Sequence, residues 1–141
     1  MKKKILVPVD GSEPALRAID DLIGGMSGSH APELHLLNVQ HPLIGDVGRF
    51  LDHEQISGFH REAGLKALAA ARKKLDDAGI PYAVHISVGE PADIIVQYAK
   101  EKGCDEIVMG ARGHGVIATL LLGSVARAVR EHAGIPVRVV E

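Results

Sequence analysis

Short apolar segments alternate with helical patterns along this chain, and this alternation constrains the fold more than any other feature. The first segment contains a continuous Ile5-Leu6-Val7 run, which is typical of a strand covered on both faces. Five strands separated by four helices indicate an open parallel α/β sheet with right-handed crossovers. The predicted strands are residues 4–9, 34–39, 82–88, 106–109 and 137–140.

The helices have recognisable start and stop signals. Ser12 is the expected N-cap of the first helix, whose apolar face ends at Met26. Between residues 40 and 58 the pattern loosens, so we predict a long irregular connection there. The strand at 82–88 alternates weakly and is expected at a sheet edge. The remaining predicted helices are residues 62–78, the segment between the Gly89-Glu90-Pro91 turn and Gly103, and the segment from the Gly123-Ser124 pair to about His132.

Length and composition place the chain among soluble globular proteins. Its 141 residues suit one domain, residues 1–141. Its net charge of −2 does not indicate binding to nucleic acid or to an anionic membrane. No apolar run reaches the length of a membrane span, and the N-terminal run breaks too early for a signal peptide. Cys104 is the only cysteine, so no intrachain disulfide is expected, and its position just before the fourth strand favours a structural thiol. The cytoplasm is the default location.

A glycine-rich stretch follows the fourth strand and leads into the last helix. It begins Met109-Gly110-Ala111-Arg112-Gly113-His114-Gly115 and ends Gly123-Ser124-Val125-Ala126. Glycines allow a close approach of backbone to ligand, and the N–H groups at a helix N-terminus favour phosphate. The stretch is neither a Walker A sequence nor a G-x-G-x-x-G fingerprint, which argues against P-loop NTPases and standard dinucleotide sites. A turn that binds nothing is the alternative interpretation.

The glycine spacing resembles a known pattern. Gly110, two residues, Gly113, nine residues and Gly123-Ser124 reproduce the G-2x-G-9x-G-[S/T] motif of the universal stress protein family, in its ATP-binding branch. Residues 5–12, 36–39, 89–92 and 134–140 are also similar to that family, so the resemblance covers nearly all of the chain except about 40–60. It implies strand order 3-2-1-4-5 with helices on both faces, the Rossmann-like arrangement called adenine nucleotide alpha hydrolase-like.

That strand order brings Asp10 and Gly110 together at the carboxyl ends of neighbouring strands, where open α/β sheets bind ligands. The resemblance implies ATP as the ligand, with Mg²⁺ or Mn²⁺. It places Asp10 at the ribose or at this metal, and Val39 beside the adenine. The predicted cofactor-binding residues are Pro8, Val9, Asp10, Ser12, Val39, Met109, Gly110, Arg112, Gly113, His114, Gly115, Gly123, Ser124, Val125 and Ala126. Ser124 is also the expected N-cap of the last helix.

The resemblance further implies a homodimer through the last strand and a regulatory or stress-tolerance role. Family members often carry a cation in the nine-residue spacer, where this chain has Ala118 and Thr119, and a hydroxyl residue where it has Ala126. Because phosphoryl transfer needs positive charge, we expect ATP to be turned over slowly or not at all, and we assign no catalytic residue. The alternatives are a slow ATPase or phosphotransferase, and a nucleotide-free dimeric interaction module.

The eight histidines raise the question of a second metal site. His53 and His60 would share a helical face, and His41 is near them in sequence. No H-E-x-x-H or C-x-x-C pattern accompanies them. We therefore expect solvent-exposed histidines rather than metal ligands.

Overall fold

The computed structural model describes residues 2–26, 31–43, 51–112 and 122–141, and these form five strands alternating with four helices. The predicted strands are all present, with bounds that differ by at most one residue from those expected. The elements are β1 (Lys4–Pro8), α1 (Glu13–Gly25), β2 (Glu33–Gln40), α2 (His53–Asp77), β3 (Tyr82–Val88), α3 (Pro91–Glu101), β4 (Glu106–Gly110), α4 (Ser124–His132) and β5 (Val137–Val140).

The five strands form one parallel sheet in the order β3-β2-β1-β4-β5. This confirms the strand order that the family resemblance implies, and it confirms that β3 lies at an edge. β1 occupies the centre, which explains its continuous apolar run. Beyond its last residue, the Val9 N–H donates to the Leu37 carbonyl at 2.8 Å, so the β1–β2 pairing continues to the start of the following turn.

Helices cover both faces of the sheet and enclose two apolar layers. One layer packs α1 and α2 against the side of the sheet that presents Val7 and Leu36. The other packs α3 and α4 against the side that presents Leu6 and Leu37. Cys104 belongs to the second layer, where burial raises the pKa of its thiol, as expected of a structural cysteine. None of the helices in the described part of the chain has the length and apolar content that a membrane crossing requires.

Helix α2 begins much earlier than the sequence pattern indicated. The prediction of an irregular connection to residue 58 is wrong for residues 53–58, which form the first turns of this 25-residue helix. A capping box fixes the start, since Asp52 Oδ1 accepts from the Gln55 N–H at 2.8 Å and Gln55 Oε1 accepts from the Asp52 N–H at 2.9 Å. These turns are mostly exposed and include Gly58, so they lack the apolar stripe that marks a helix. Residues 44–50 lie outside the described residues.

A row of polar side chains crosses the apolar layer between the sheet and α3. His35 Nδ1 lies 3.0 Å from His85 Nε2, and His85 Nδ1 lies 2.6 Å from the Tyr98 hydroxyl. Two neutral rings satisfy both hydrogen bonds, because Tyr98 can donate to His85 while the Nε2–H of His85 donates to His35. Two doubly protonated rings cannot form the hydrogen bond between His35 and His85, because an N–H group would then face an N–H group. Burial lowers the pKa of His85, and nearby His35 and Lys102 lower it further, while Glu33 Oε2 lies 3.7 Å from His35 Nε2.

We expect the protein to lose stability in mild acid through this row. A histidine whose pKa is lowered by folding stays neutral in the native state, whereas the unfolded chain takes up the proton. The free energy of unfolding should therefore fall as the pH drops below about 6.5, the ordinary histidine value. Urea titrations at a series of pH values measure this slope. His85→Gln should flatten it and the exposed His132→Gln should not; an unchanged slope in His85→Gln would contradict the expectation.

Candidate functional site

The carboxyl ends of β1, β2 and β4 open into a cleft of about 440 Å³. This is the topological switch point of the sheet, because the chain leaves β1 toward β2 on one side and β4 lies on the other. The cleft is lined by eleven of the fifteen predicted site residues, namely Pro8, Val9, Asp10, Val39, Met109, Gly110, Arg112, Gly123, Ser124, Val125 and Ala126. Gly113, His114 and Gly115 lie outside the described residues, as do Ala118 and Thr119.

Asp10 and Ser12 form the turn between β1 and α1. Asp10 Oδ1 accepts hydrogen bonds from the Ser12 N–H at 3.0 Å and from the Ser12 hydroxyl at 2.5 Å. Ser12 in turn caps α1 by accepting from the Ala15 N–H at 3.5 Å, which confirms the predicted N-cap. Ser12 is buried and does not line the cleft, so in this structure it both caps α1 and holds the Asp10 carboxylate in place.

Gly110 is a glycine because the chain packs tightly there. A Cβ built on Gly110 would lie 2.6 Å from the carbonyl carbon of Pro14 and 2.7 Å from its oxygen, so the end of β4 touches the first turn of α1. Ala111 follows, and both its N–H and its carbonyl form hydrogen bonds. Its N–H donates to Val140 O at 2.9 Å, and its carbonyl accepts from the Gly123 N–H at 2.7 Å. Ala111 and Gly123 are therefore held together beside the cleft.

The start of α4 forms one wall of the cleft. Gly123, with φ −68° and ψ 160°, is the N-cap, so the expectation that Ser124 caps this helix is wrong. Ser124 is instead the first helical residue and is exposed. The first N–H groups of a helix have no acceptor within it and carry the positive end of the helix dipole. With Arg112 on the same cleft, this wall can hold an anionic group.

Other residues that line the cleft give it apolar surface and two side-chain amides. Val39, Pro91 and Ile95 contribute apolar surface. Asn38 and Gln40 carry the amides. Asn38 is 2% exposed and donates from Nδ2 to the Val9 carbonyl at 2.8 Å, while Gln40 donates from Nε2 to Asn38 Oδ1 at 2.6 Å. This combination of apolar surface with a few oriented polar groups is typical of small-molecule sites.

Nine lining residues were not among the predicted site residues. One signal was available in the sequence, because Asn38 interrupts an apolar Leu-Leu-Asn-Val segment at the carboxyl end of a strand. Four more lie within two residues of a predicted site residue in the chain, and the other four, on helices α1, α2 and α3, were brought to the cleft by packing. The nine residues are Ala15, Leu37, Asn38, Gln40, His41, Ala67, Pro91, Ile95 and Ala111.

The histidines considered as metal ligands differ in solvent exposure. His53 is exposed in the first turn of α2, whereas His60 is only 5% exposed, so the expectation of a solvent-exposed His60 is wrong. His60 faces inward because the apolar face of α2 extends one turn before Gly64 and Leu68. Within the described ranges, no three or more His, Cys, Asp or Glu side chains are grouped so as to hold a metal ion.

Comparisons with known proteins agree on one family. A family model described as the universal stress protein family matches residues 1–141. Universal stress protein MJ0531 of Methanocaldococcus jannaschii is 34% identical over 145 residues, covering 99% of this chain and 82% of that protein. The solved structure of MJ0577 from the same organism is 33% identical with a TM-score of 0.84, covering 99% of this chain and 96% of that one. A universal stress protein solved in complex with cAMP is 25% identical with a TM-score of 0.67, covering 99% and 96%.

Proposed function

This chain belongs to the universal stress protein family, and we propose that it binds ATP in the cleft at the carboxyl ends of β1 and β4. We further propose that it acts as a regulatory or stress-tolerance protein whose state is set by ATP occupancy. The observation that supports the proposal most is that a single cleft is lined both by apolar side chains and by the exposed start of α4. Its organisation as a single domain over residues 1–141 and its cytoplasmic location stay predictions from the sequence.

The cleft has two ends that match the two ends of a nucleotide. The apolar part beside Val39 suits a purine ring, and the start of α4 with Arg112 suits phosphate. Its volume of about 440 Å³ lies in the range of small-molecule sites. The relative solved with cAMP supports an adenine nucleotide as the ligand class. We place the ribose between these ends, beside Asp10.

A divalent cation fits this arrangement only together with the nucleotide. The Asp10 carboxylate lines the cleft, and Mg²⁺ is usually held by one or two carboxylates plus phosphate oxygens and water. One carboxylate therefore suits Mg²⁺ or Mn²⁺ when phosphates complete its coordination. When bound, the ion supplies positive charge beside the phosphates. Asp10 contributes a fixed ligand, because its Oδ1 is held by the Ser12 N–H and hydroxyl.

The charges of the cleft favour holding ATP over hydrolysing it. Arg112 is the one Lys or Arg among the described lining residues, and residues 113–121 contain neither. Efficient phosphoryl transfer uses several positive groups around the γ-phosphate and a residue that orients the nucleophile. We therefore propose that turnover is slow or absent and that bound ATP itself is the signal.

We also propose that two copies of the chain pair through β5. This strand is an edge of the sheet, and three of its four residues are valines that are only partly buried. An uncovered apolar edge invites pairing with another chain, and a two-fold axis closes both edges at once. The dimer would leave the clefts at the carboxyl ends of the other strands accessible.

Native mass spectrometry of the purified protein with added ATP tests both proposals in one experiment. We expect a dimer mass carrying one ATP per protomer, and unchanged ATP after prolonged incubation. A nucleotide-free protein at saturating ATP would contradict the binding proposal and favour the interaction module. Conversion of bound ATP to ADP would favour the slow ATPase. A monomer mass would contradict pairing through β5.

A further inference from the structure

We propose that proton uptake by the row of His35, His85 and Tyr98 opposes ATP binding, so that the protein releases ATP in mild acid. The proposal rests on the proposed function, because it concerns the regulation of the ATP cleft. None of the three side chains lines the cleft, but the row joins β2 and α3, which both contribute residues to it. The packing of α3 against the sheet connects the two events.

The row attaches α3 to two strands of the sheet. The rings of His35 on β2 and His85 on β3 are stacked with 5.2 Å between their centroids, and their Nδ1 and Nε2 atoms lie 3.0 Å apart. The Tyr98 hydroxyl of α3 lies 2.6 Å from His85 Nδ1. Because these polar groups lie in the layer between the sheet and the helix, a donor that loses its acceptor there costs free energy. The position of α3 is therefore stabilised by hydrogen bonds that need specific protons.

In the neutral row the hydrogen bonds run in one direction. Tyr98 O–H donates to His85 Nδ1, and His85 Nε2–H donates to His35 Nδ1. The proton of His35 is then on Nε2, a buried atom that has no hydrogen-bond partner among the described residues and lies 3.7 Å from Glu33 Oε2. The opposite direction would leave a bare nitrogen facing the Glu33 carboxylate, so electrostatics favours the first.

One added proton reverses the contact with α3. Protonation of His85 puts an N–H at its Nδ1. Protonation of His35 does the same indirectly, because His35 then donates from Nδ1 and His85 must accept at Nε2. In either case Tyr98 can only accept from His85, and its own hydroxyl proton loses its acceptor. A second proton sets N–H against N–H between the two rings and breaks the row.

The surroundings of the row set its titration below neutral pH. Burial lowers the pKa of His85, and His35 and Lys102 lower it further. Burial raises the pKa of Tyr98, so its hydroxyl keeps its proton throughout this range. His85 is therefore neutral at neutral pH and takes up a proton only below about 6.5, the ordinary histidine value. The titratable or charged neighbours of the row are Glu33 on β2, Glu101 on α3, and Lys102 and Cys104 just after it.

Helix α3 connects the row to the cleft. Its first residue, Pro91, and the buried Ile95 line the cleft, and Ile95 lies one turn before Tyr98. On the sheet side, Leu37 lines the cleft and is the register partner of His85. A change in the packing of α3 on the sheet alters this wall, so ATP binds better when the row is neutral. Because coupling between two sites is reciprocal, bound ATP should make His85 harder to protonate.

The test is calorimetric titration with ATP at about pH 7.5 and about pH 5.5, on either side of the ordinary histidine value. A terminal phosphate also titrates at about pH 6, so the loss of affinity in acid is compared between proteins. His85→Gln supplies an amide that can accept from Tyr98 and donate to His35 without titrating. We expect the acid loss to be about 5- to 10-fold larger in wild type than in His85→Gln, the lower part of the usual range for coupled sites.

Two further variants show where the effect arises. Tyr98→Phe keeps both histidines but removes their hydrogen bond to α3, so its acid loss should be as small as that of His85→Gln. That result would mark Tyr98 as a positioning residue. His132→Gln, at an exposed histidine, is the control and should keep the wild-type acid loss. A charged His41 on the cleft lining would attract ATP, so its titration acts in the opposite direction.

An NMR titration of the His85 ring in free and ATP-saturated wild type needs no variant, and we expect a lower pKa of His85 with ATP bound. Equal acid losses in wild type and His85→Gln, or an equal pKa of His85 with and without ATP, would overturn the proposal and leave the cleft an ATP site. Wild type that binds no ATP at either pH would contradict the proposed function, and this proposal with it. His85 and Tyr98 are only partly buried, so both variants are expected to fold.

Discussion

Gly110→Ala should lower the free energy of unfolding by about 3 kcal/mol, the upper part of the usual cost of overpacking. The added Cβ would lie 2.6 to 2.8 Å from three atoms of Pro14, two of them backbone atoms that no side-chain rotation can move. Either β4 or the first turn of α1 must therefore shift. Because a small protein is stable by only about 5–15 kcal/mol, urea denaturation should show the loss clearly.

The same substitution at Gly58 is the matched control. A Cβ there would meet no atom within 4 Å apart from its own stretch of helix, and the residue lies inside α2. Gly58→Ala should raise stability by up to about 1 kcal/mol, because alanine has a higher helix propensity than glycine. Opposite signs for the two variants would establish the close contact with Pro14. A loss below about 1 kcal/mol in Gly110→Ala would show that the turn between β1 and α1 adjusts more easily than overpacked sites usually do.

Ser124→Asp should reduce ATP affinity by at least about 100-fold while leaving the protein equally or more stable. The carboxylate would stand at the first residue of α4, where the proposal places the phosphates. Two unit charges about 4 Å apart repel by about 4 kcal/mol at an effective dielectric constant of about 20, which outweighs the loss of one hydroxyl contact. The same charge is favourable at a helix N-terminus by about 0.3–1 kcal/mol.

Calorimetric titration with ATP and thermal denaturation of the free protein measure the two effects separately. Ser57→Asp, an exposed serine inside α2 and away from the cleft lining, is the control and should leave ATP affinity unchanged. Wild-type affinity in Ser124→Asp would show that the phosphates do not lie at the start of α4. A large loss of stability would mean that the variant tests folding rather than charge.

Much of the fold could be predicted from the sequence because its signals are local. Strand bounds followed from apolar runs and their turn residues, and the α1 N-cap at Ser12 followed from residue type and position. Strand order did not follow from periodicity and came from the family resemblance. The start of α2 was missed because its exposed first turns lack an apolar stripe, although Asp52 and Gln55 have the spacing of a capping box.

The candidate site, like the fold, could be predicted only in part from the sequence. Asp10, Arg112 and Ser124 could be placed at one cleft once the strand order was known, because the carboxyl ends of parallel strands meet at one edge. The capping role of Ser124 was misassigned because a glycine and a serine are adjacent there, and only the backbone angles show that Gly123 takes the N-cap. The amides of Asn38 and Gln40 were not recognised at all.

Apart from the first turns of α2, the sequence by itself determined the elements, their parallel arrangement and the glycine spacing that points to a phosphate-binding turn. Each of these depends on residues that are neighbours in the chain, so periodicity and spacing are enough to read them. Only the tertiary structure decided why Gly110 must lack a side chain and how the Asn38 and Gln40 amides are hydrogen-bonded, one through the other, to the end of β1. Both depend on atoms far away in sequence, Pro14 in one case and Val9 in the other, which sheet pairing and helix packing bring within contact distance.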